Sequence, residues 1–196
     1  MLKKRAIKEI ANIIAGYTFR GAITPSVDGN IFVLQAKDIN KNEYIEKIED
    51  LTRTPLEIPR SNSYLKYDDV LLTSRGAGNR SFKSTLYKSK ADNVVASSSV
   101  YIIRIIEEKI LPEYLSLYLN SIEGQKALYK IVTGAQIRTI NRKDLDEMKV
   151  SLPTLEKQKI LVAFYENINR QEKITVRIKE IKQNIMNAIT RDVATN

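Results

Sequence analysis

Residues 154–189 read TLEKQKILVAFYENINRQEKITVRIKEIKQNIMNAI, and this stretch contains neither proline nor glycine. Its apolar side chains recur every three or four residues, which is the spacing of one face of an α-helix. Pro153 lies just outside the stretch, and Thr154 is the expected N-cap. The sequence therefore predicts one long helix, whose apolar stripe includes Phe164, Ile168, Ile174, Ile178, Ile181 and Ile185.

A helix of this length needs a partner. About 36 residues at ~1.5 Å rise per residue give a rod of roughly 54 Å, which overhangs a domain of about 150 residues. We expect a compact domain of residues 1–152, a dimerisation or spacer helix of residues 153–190 and a tail of residues 191–196. Gln171 and Lys182 interrupt an ideal heptad, so an antiparallel homodimer is favoured over a long parallel zipper. The alternative is a helix that folds back onto its own domain.

The composition excludes several kinds of chemistry. The chain has 196 residues and contains no cysteine and no histidine. Disulfides, thiol catalysis, catalytic Ser-His pairs and the commonest transition-metal ligands are therefore excluded. No signal peptide and no apolar run of about 18 residues is present. We expect a soluble cytoplasmic protein that binds no metal and no cofactor.

The charge points to a polyanionic partner. The formal net charge is +9, and two windows, residues 75–90 and residues 124–143, each contain five basic residues and no acid. Clustered lysine and arginine on a basic chain favour nucleic acid. The alternative is that a basic protein contains such windows by chance.

The remaining sequence predicts a mixed α+β domain. Strands are expected at residues 31–35, 69–74, 94–106 and 149–152, because these are short β-branched and apolar runs. Residues 2–14 favour a short helix, or a helix that leads into a strand. Pro112 opens a helix to about residue 132, which Gly124 could split in two. Asn141 is the expected N-cap of a short helix.

Catalytic motifs are mostly absent. Gly16 and Gly21 have the spacing of a P-loop, but Ala22 and Ile23 replace its lysine and hydroxyl residue. Asp68 and Asp69 are paired carboxylates that could bind Mg²⁺ as in a nuclease. A turn before a strand is the favoured interpretation of this pair.

Two loops carry side chains suited to reading bases. Ser74 to Arg80 (SRGAGNR) follows an apolar strand, and its glycines allow a close approach to a neighbouring molecule. Arginine suits guanine and asparagine suits adenine in the major groove. The second loop, residues 133–141 (TGAQIRTIN), places Gln136 and Arg138 after a glycine. An ordinary glycine turn with solvated arginines remains the alternative.

The order of these segments resembles one known family. The succession GYTF at 16–19, LQAKDI at 34–39, YDDVLLTSRGAGN at 67–79, LPEYLSLYLNS at 111–121 and TGAQIRTINRKDLDEMKVSLPTLEKQKILV at 133–162 resembles the specificity subunits of type I restriction–modification systems. The resemblance covers nearly the whole chain. Members of that family usually carry two target recognition domains and two spacer helices, whereas this sequence shows one of each and resembles half a subunit.

The resemblance implies a non-catalytic DNA-recognition subunit that works with a modification subunit and a restriction subunit. Each domain would read one half-site of double-stranded DNA, and the helices would fix the spacing. The expected base-reading residues are Arg75, Asn79, Arg80, Gln136 and Arg138. The expected phosphate-binding residues are Arg20, Lys37, Lys83, Lys88 and Arg142. A stand-alone regulator or anti-restriction decoy, and a metal-dependent nuclease, remain the alternatives.

Overall fold

The structure is a computed structural model that describes residues 3–41, 43–56, 63–76, 82–134 and 136–195. The chain divides into two compact units. We call residues 1–158 the head and residues 159–196 the helical unit, and each is described by itself.

The described strands all lie in the head. They are β1 (Lys3–Ala6), β2 (Ala11–Ala15), β3 (Ile31–Leu34), β4 (Thr52–Thr54), β5 (Val70–Thr73), β6 (Arg75–Gly76), β7 (Ser84–Leu86), β8 (Val94–Ala96), β9 (Val100–Ile105), β10 (Val132–Thr133), β11 (Arg138–Ile140) and β12 (Lys149–Leu152). The helices are α1 (Pro112–Asn120), α2 (Ile122–Lys130), α3 (Arg142–Glu147) and α4 (Leu155–Thr195). The predicted α+β class with a long C-terminal helix is confirmed.

The head is built in layers around a four-stranded antiparallel sheet. Its strand order is β2-β9-β5-β7. Alternate residues of a strand face opposite sides of a sheet, and here both sides are buried. Leu72 and Ile103 join the cluster that α1 and α2 cover. Leu71 and Ile102 face a second sheet of order β4-β3-β8, in which β3 and β8 run parallel.

The start of the chain differs from the prediction. A helix was favoured there, but β1 and β2 are strands, and a single 3₁₀ turn at Ile7–Glu9 separates them. Strand β1 pairs with β12, and β2 pairs with β9. The apolar spacing in this region fits both the helical repeat of 3.6 residues and the strand repeat of two residues. Pairing with the distant strands β12 and β9 decides in favour of strands. The predicted α-helix is therefore wrong.

The predicted helix from Pro112 is split in two, at Ser121 rather than at Gly124. The Ser121 hydroxyl caps α2 by accepting a hydrogen bond from the Gly124 backbone N–H at 3.1 Å. A Cβ atom on Gly124 would lie 1.9 Å from the Tyr118 carbonyl oxygen. The glycine is needed because α1 and α2 approach closely at this corner.

Helix α4 begins where the sequence predicts. The Lys157 backbone N–H lies 3.5 Å from the Thr154 hydroxyl. Gln158 is fully buried in the head, where its side-chain oxygen accepts from the Leu111 N–H at 3.0 Å. In the helical unit the stripe of Phe164, Ile168, Ile174, Ile178, Ile181 and Ile185 is exposed. Among the described residues, no helix is both long enough and apolar enough to cross a membrane.

Candidate nucleic-acid interface

The two loops singled out in the sequence are joined in one small sheet. Strand β6 pairs with β11, and β11 pairs with β10, in a small three-stranded sheet. Arg75 thus lies directly opposite Thr139, and Arg138 lies opposite Gly76. Segments more than sixty residues apart in the chain are therefore adjacent strands.

Arg75 and Arg138 leave this small sheet on opposite faces. Residues directly opposite each other in a sheet project to the same face, and the next residues along project to the other. Arg75 is exposed, whereas Arg138 is half-buried. The Arg138 guanidinium lies 5.2 Å from the centre of the Tyr129 ring. The two arginines therefore occupy different surroundings.

The base of Arg75 is fixed by a turn of three serines, Ser97 to Ser99. The Ser74 backbone N–H donates to the Ser99 carbonyl at 2.8 Å, and the Ser74 hydroxyl donates to the Ser98 carbonyl at 3.1 Å. Ser74 is itself buried. Arg75 consequently starts from a rigid point.

The same serine turn gathers two further cationic segments. The Ser98 N–H donates to the Tyr17 carbonyl at 2.8 Å. Tyr17 lies three residues before Arg20, which is exposed. The Ala36 N–H lies 3.3 Å from the Ser99 hydroxyl, next to the exposed Lys37. Three segments that the sequence separates therefore converge on one turn.

Arg142 and Arg75 both lie close enough to the Tyr101 hydroxyl to act on its charge. Burial raises the pKa of Tyr101, and the positive charges of Arg142 and Arg75 both act against that rise. The Tyr101 hydroxyl donates to the Ile140 carbonyl at 2.8 Å, at the end of β11. The two basic windows of the sequence thus meet around Tyr101.

Lys83 and Gln136 complete this group. The Lys83 backbone N–H donates to the Thr73 hydroxyl at 2.9 Å, and Thr73 directly precedes Ser74. Gln136 is exposed in the loop between β10 and β11. That loop requires Gly134, whose φ is +94° and whose Cβ would lie 2.3 Å from the Ile137 carbonyl oxygen.

Lys88 lies elsewhere and is already paired. Its ammonium contacts Asp68 and Glu113, each at 2.5 Å. Burial lowers the pKa of Lys88, but its hydrogen bonds to these two carboxylates outweigh burial and leave the pKa raised. Lys88 follows β7 beside the start of β5, whereas Arg75 follows the end of β5. Its ammonium is engaged within the head. Asn79 and Arg80, the other predicted base readers, lie outside the described residues.

Sequence reasoning missed Tyr129 and the serine turn. The Tyr129 ring packs edge-to-face on Phe82 at 5.8 Å between centroids, while Arg138 lies over it. Nothing in the local sequence marks a tyrosine near the end of α2 as the support of an arginine on β11. The signal lies only in the three-dimensional pairing.

The paired carboxylates Asp68 and Asp69 are engaged by cations of the protein. Arg104 binds Asp69 through two nitrogens, at 2.8 and 2.7 Å, and Asp69 is buried. Asp68 binds Lys88 and has a φ of +70°. No cluster of three or more potential metal-binding residues occurs in the described parts of the chain. The pair therefore has a structural role, as a turn before β5.

Comparison with known proteins agrees with this architecture. A family model, the type I restriction modification DNA specificity domain, matches residues 2–183. Over 126 residues the chain is 29% identical to a putative type I restriction enzyme MjaX specificity subunit of Methanocaldococcus jannaschii, covering 62% of this chain and 27% of that protein. Over 112 residues it is 30% identical to the type I restriction enzyme EcoEI specificity subunit of Escherichia coli, covering 57% and 19%. The chain matches less than a third of the length of both relatives.

Solved structures share the fold. The S subunit of a type I restriction–modification system from M. genitalium superposes with a TM-score of 0.59 at 14% identity, covering 94% of this chain and 43% of that one. The HsdS subunit from Thermoanaerobacter tengcongensis gives a TM-score of 0.63 at 18% identity, covering 90% and 39%. The family model spans most of the sequence, and the fold agrees with it. The chain therefore belongs to the type I restriction–modification DNA specificity family.

Proposed function

We propose that this chain is a non-catalytic, sequence-specific DNA-recognition subunit of a cytoplasmic type I restriction–modification complex. In this proposal residues 1–152 form the recognition domain and read one half-site. Residues 153–190 form a spacer helix that pairs with a second copy and docks a modification subunit. The observation that carries the proposal is the convergence of exposed cationic segments, distant in sequence, around Arg75 and the serine turn.

The two faces of the small sheet suggest different roles for their arginines. Arg75 is exposed and begins at the rigid Ser74, so its guanidinium suits bidentate readout of a guanine edge. Arg138 is held over Tyr129 and is half-buried, and together with Gln136 it would read or clamp a neighbouring position. Two arginines on opposite faces would contact different base pairs.

Phosphate binding would come from the cations that surround these readers. Arg20, Lys37, Lys83 and Arg142 lie on segments tied to the serine turn, to β5 or to Tyr101. Contacts of this kind fix orientation and carry salt-dependent affinity rather than sequence information. Lys88 is not retained in this set, because two carboxylates already neutralise its charge.

The test is binding to randomised duplexes at several salt concentrations, with the modification subunit present. Arg75→Ala should cost roughly 1–3 kcal/mol on the preferred site and relax the preference at one base pair. Arg75→Lys should restore charge but not readout, because lysine lacks the planar fork. Lys83→Ala should weaken all sequences about equally and lower the salt slope by roughly one unit.

Lys47→Ala provides the control, since Lys47 is an exposed lysine in the acidic stretch at residues 43–50. It should change neither the selected motif nor the salt slope. An unchanged motif and unchanged affinity for Arg75→Ala would place the DNA surface elsewhere on the head and overturn this assignment.

A further inference from the structure

A groove runs along α2 on the head, apart from Arg75 and the serine turn. Its volume is about 910 Å³, and it is lined by residues of α1, α2, β1 and the segment from Glu147 to Lys149. We call it the α2 groove. None of its lining residues belongs to the DNA-contacting set proposed above, but Tyr129 lines the groove and also lies under Arg138, so the groove borders that set.

The floor and one wall of the α2 groove are apolar. Tyr118 and Ile131 are half-buried there, while Ile122 is 62% exposed at the first position of α2. Together these side chains give the groove an apolar part. Such a surface favours an apolar side chain from a partner.

Lysines surround this apolar surface. Lys4, Lys130 and Lys149 are exposed and line the groove, and within the described parts of the chain no ion pair joins them to an acid. The groove contains two acids, and both are engaged: Glu123 pairs with Lys126 at 2.9 Å, and Glu147 pairs with Lys8 at 2.5 Å. The positive charges of Lys126, Lys4 and Lys130 lower the pKa of Glu123. The rim is therefore left with an excess of positive charge.

Gln125 is a buried residue at the edge of the groove. Its amide nitrogen donates to the Phe82 and Leu119 carbonyls at 2.9 and 2.7 Å. These bonds fix the amide and leave Oε1 as a buried acceptor with no donor among the described residues. An unmet buried acceptor costs about 1–3 kcal/mol. The exposed Ile122 beside Tyr118 favours a protein segment over a phosphodiester backbone, because a phosphodiester backbone has no apolar side chain to pack there.

We propose that the α2 groove is a docking site for an acidic protein segment that presents a large apolar side chain. The apolar side chain packs on Ile122 and Tyr118, and the carboxylates face Lys4, Lys130 and Lys149. Charge complementarity of this kind sets specificity and association rate, while the apolar anchor supplies most of the affinity. The inference does not depend on the proposed DNA recognition.

The experiment uses the full chain and a displayed library of random twelve-residue peptides. Selected peptides should carry two or more Asp or Glu residues beside a Leu, Ile, Phe or Trp. Ile122→Asp, and separately Lys130→Glu with Lys149→Glu, should each weaken binding of the best peptide by roughly tenfold or more. These side chains are exposed, so urea unfolding should confirm that the variants fold normally. A peptide with its acids changed to lysine should bind the double variant better than it binds the unaltered chain.

The matched control reverses two exposed lysines outside the groove, Lys47→Glu with Lys90→Glu, and should leave peptide affinity unchanged. Three results overturn the proposal. One is a selection that yields no binder, or binders indifferent to the groove variants. The second is a loss of duplex DNA affinity in those variants without peptide binding, which assigns the groove to DNA. The third is a change in oligomeric mass without peptide binding, which assigns it to a second copy.

Discussion

Isoleucine meets two different environments in this protein. In the head, Ile7, Ile10 and Ile103 have no exposed surface. In the helical unit, Ile178 is 47% exposed and Ile185 is 54% exposed. The head covers most of its apolar residues with its own sheets and helices, whereas the helical unit leaves an apolar stripe open.

This difference in exposure means that the head and the helical unit gain stability from different contacts. Burial of apolar surface stabilises by roughly 25 cal/mol per Å², and in the head that gain is internal to one chain. In the helical unit the same gain is available only against another surface. The head should therefore be stable at any dilution, while the order of the helical unit should depend on concentration.

The largest expected effect is loss of self-association. Ile178→Asp with Ile185→Asp places two carboxylates in the proposed helix–helix contact. Full burial of an isoleucine contributes about 1.5–3 kcal/mol, but Ile178 and Ile185 are only about half exposed in the single helix, so about half of that gain remains for the contact. Four such side chains in a homodimer then contribute roughly 3–6 kcal/mol, which the dimer should lose. Light scattering at micromolar concentration should change from dimer mass to monomer mass.

The control for this change lies on the opposite side of α4. Gln183→Asp with Asn187→Asp adds the same two charges to polar positions and should keep the dimer mass. If the unaltered chain keeps a monomer mass as its concentration rises, the apolar stripe needs no second copy. That result would contradict the contrast drawn between the head and the helical unit.

The second largest expected effect is a loss of stability in the head alone. Asp69→Asn removes the charge that binds Arg104 through two hydrogen bonds, and Asp69 is 1% exposed. Breaking a buried ion pair on one side should cost roughly 3 kcal/mol. Urea unfolding should show this loss equally at low and high protein concentration.

Asp68→Asn is the matched neighbour. The Asp68 side chain is 42% exposed, and Lys88 keeps Glu113 as a partner, so the cost should be about 1 kcal/mol or less. Equal costs for the two substitutions would show that the Arg104 pair does not hold the start of β5.

The smallest effect is a change of stability in alkaline solution. Burial raises the pKa of Tyr114 to about 12, and its hydroxyl donates to the Ser151 carbonyl at 2.6 Å. A group whose pKa is raised by folding contributes stability below its ordinary pKa of 10 and loses it as the pH rises through 12. The shift corresponds to about 2–3 kcal/mol.

Tyr114→Phe should therefore be less stable than the unaltered chain at pH 8, by about 1 kcal/mol for the lost hydrogen bond. The difference should shrink or reverse between pH 10 and 12 in urea unfolding at fixed protein concentration. Tyr67→Phe, at a half-exposed tyrosine, should show no such crossing. A constant difference for Tyr114→Phe at all pH values would contradict the assignment to this hydroxyl.

Several elements of the fold could be predicted because their signals are local. The long helix follows from an unbroken apolar period without proline or glycine, and the strands at Ile31 and Val70 follow from short β-branched runs. Asn141 occupies the predicted N-cap position of α3, although its side chain donates to the Asp144 carboxylate at 3.2 Å and caps no backbone N–H. Each of these depends on a few neighbouring residues, and the structure places all of them close to the expected bounds.

The candidate site could be predicted only in part. The Arg75 and Arg138 loops were found from residue type, but their pairing through β6 and β11 is a contact between distant segments. Their orientation to opposite faces follows from register, which the sequence does not contain. Lys88 was selected for its charge, and the carboxylates that engage it come from elsewhere in the chain.

The pairing of β1 with β12 has a consequence for inheritance. Lys3 lies opposite Leu152 and Ala6 lies opposite Lys149. The first and the last strand of the head are therefore neighbours. Neighbouring antiparallel strands are only about 5 Å apart. The two ends of the segment between these strands therefore lie side by side. Under the proposed function, genetic recombination at these two strands would exchange the DNA preference of the domain in one step and leave the sequence of α4 unchanged.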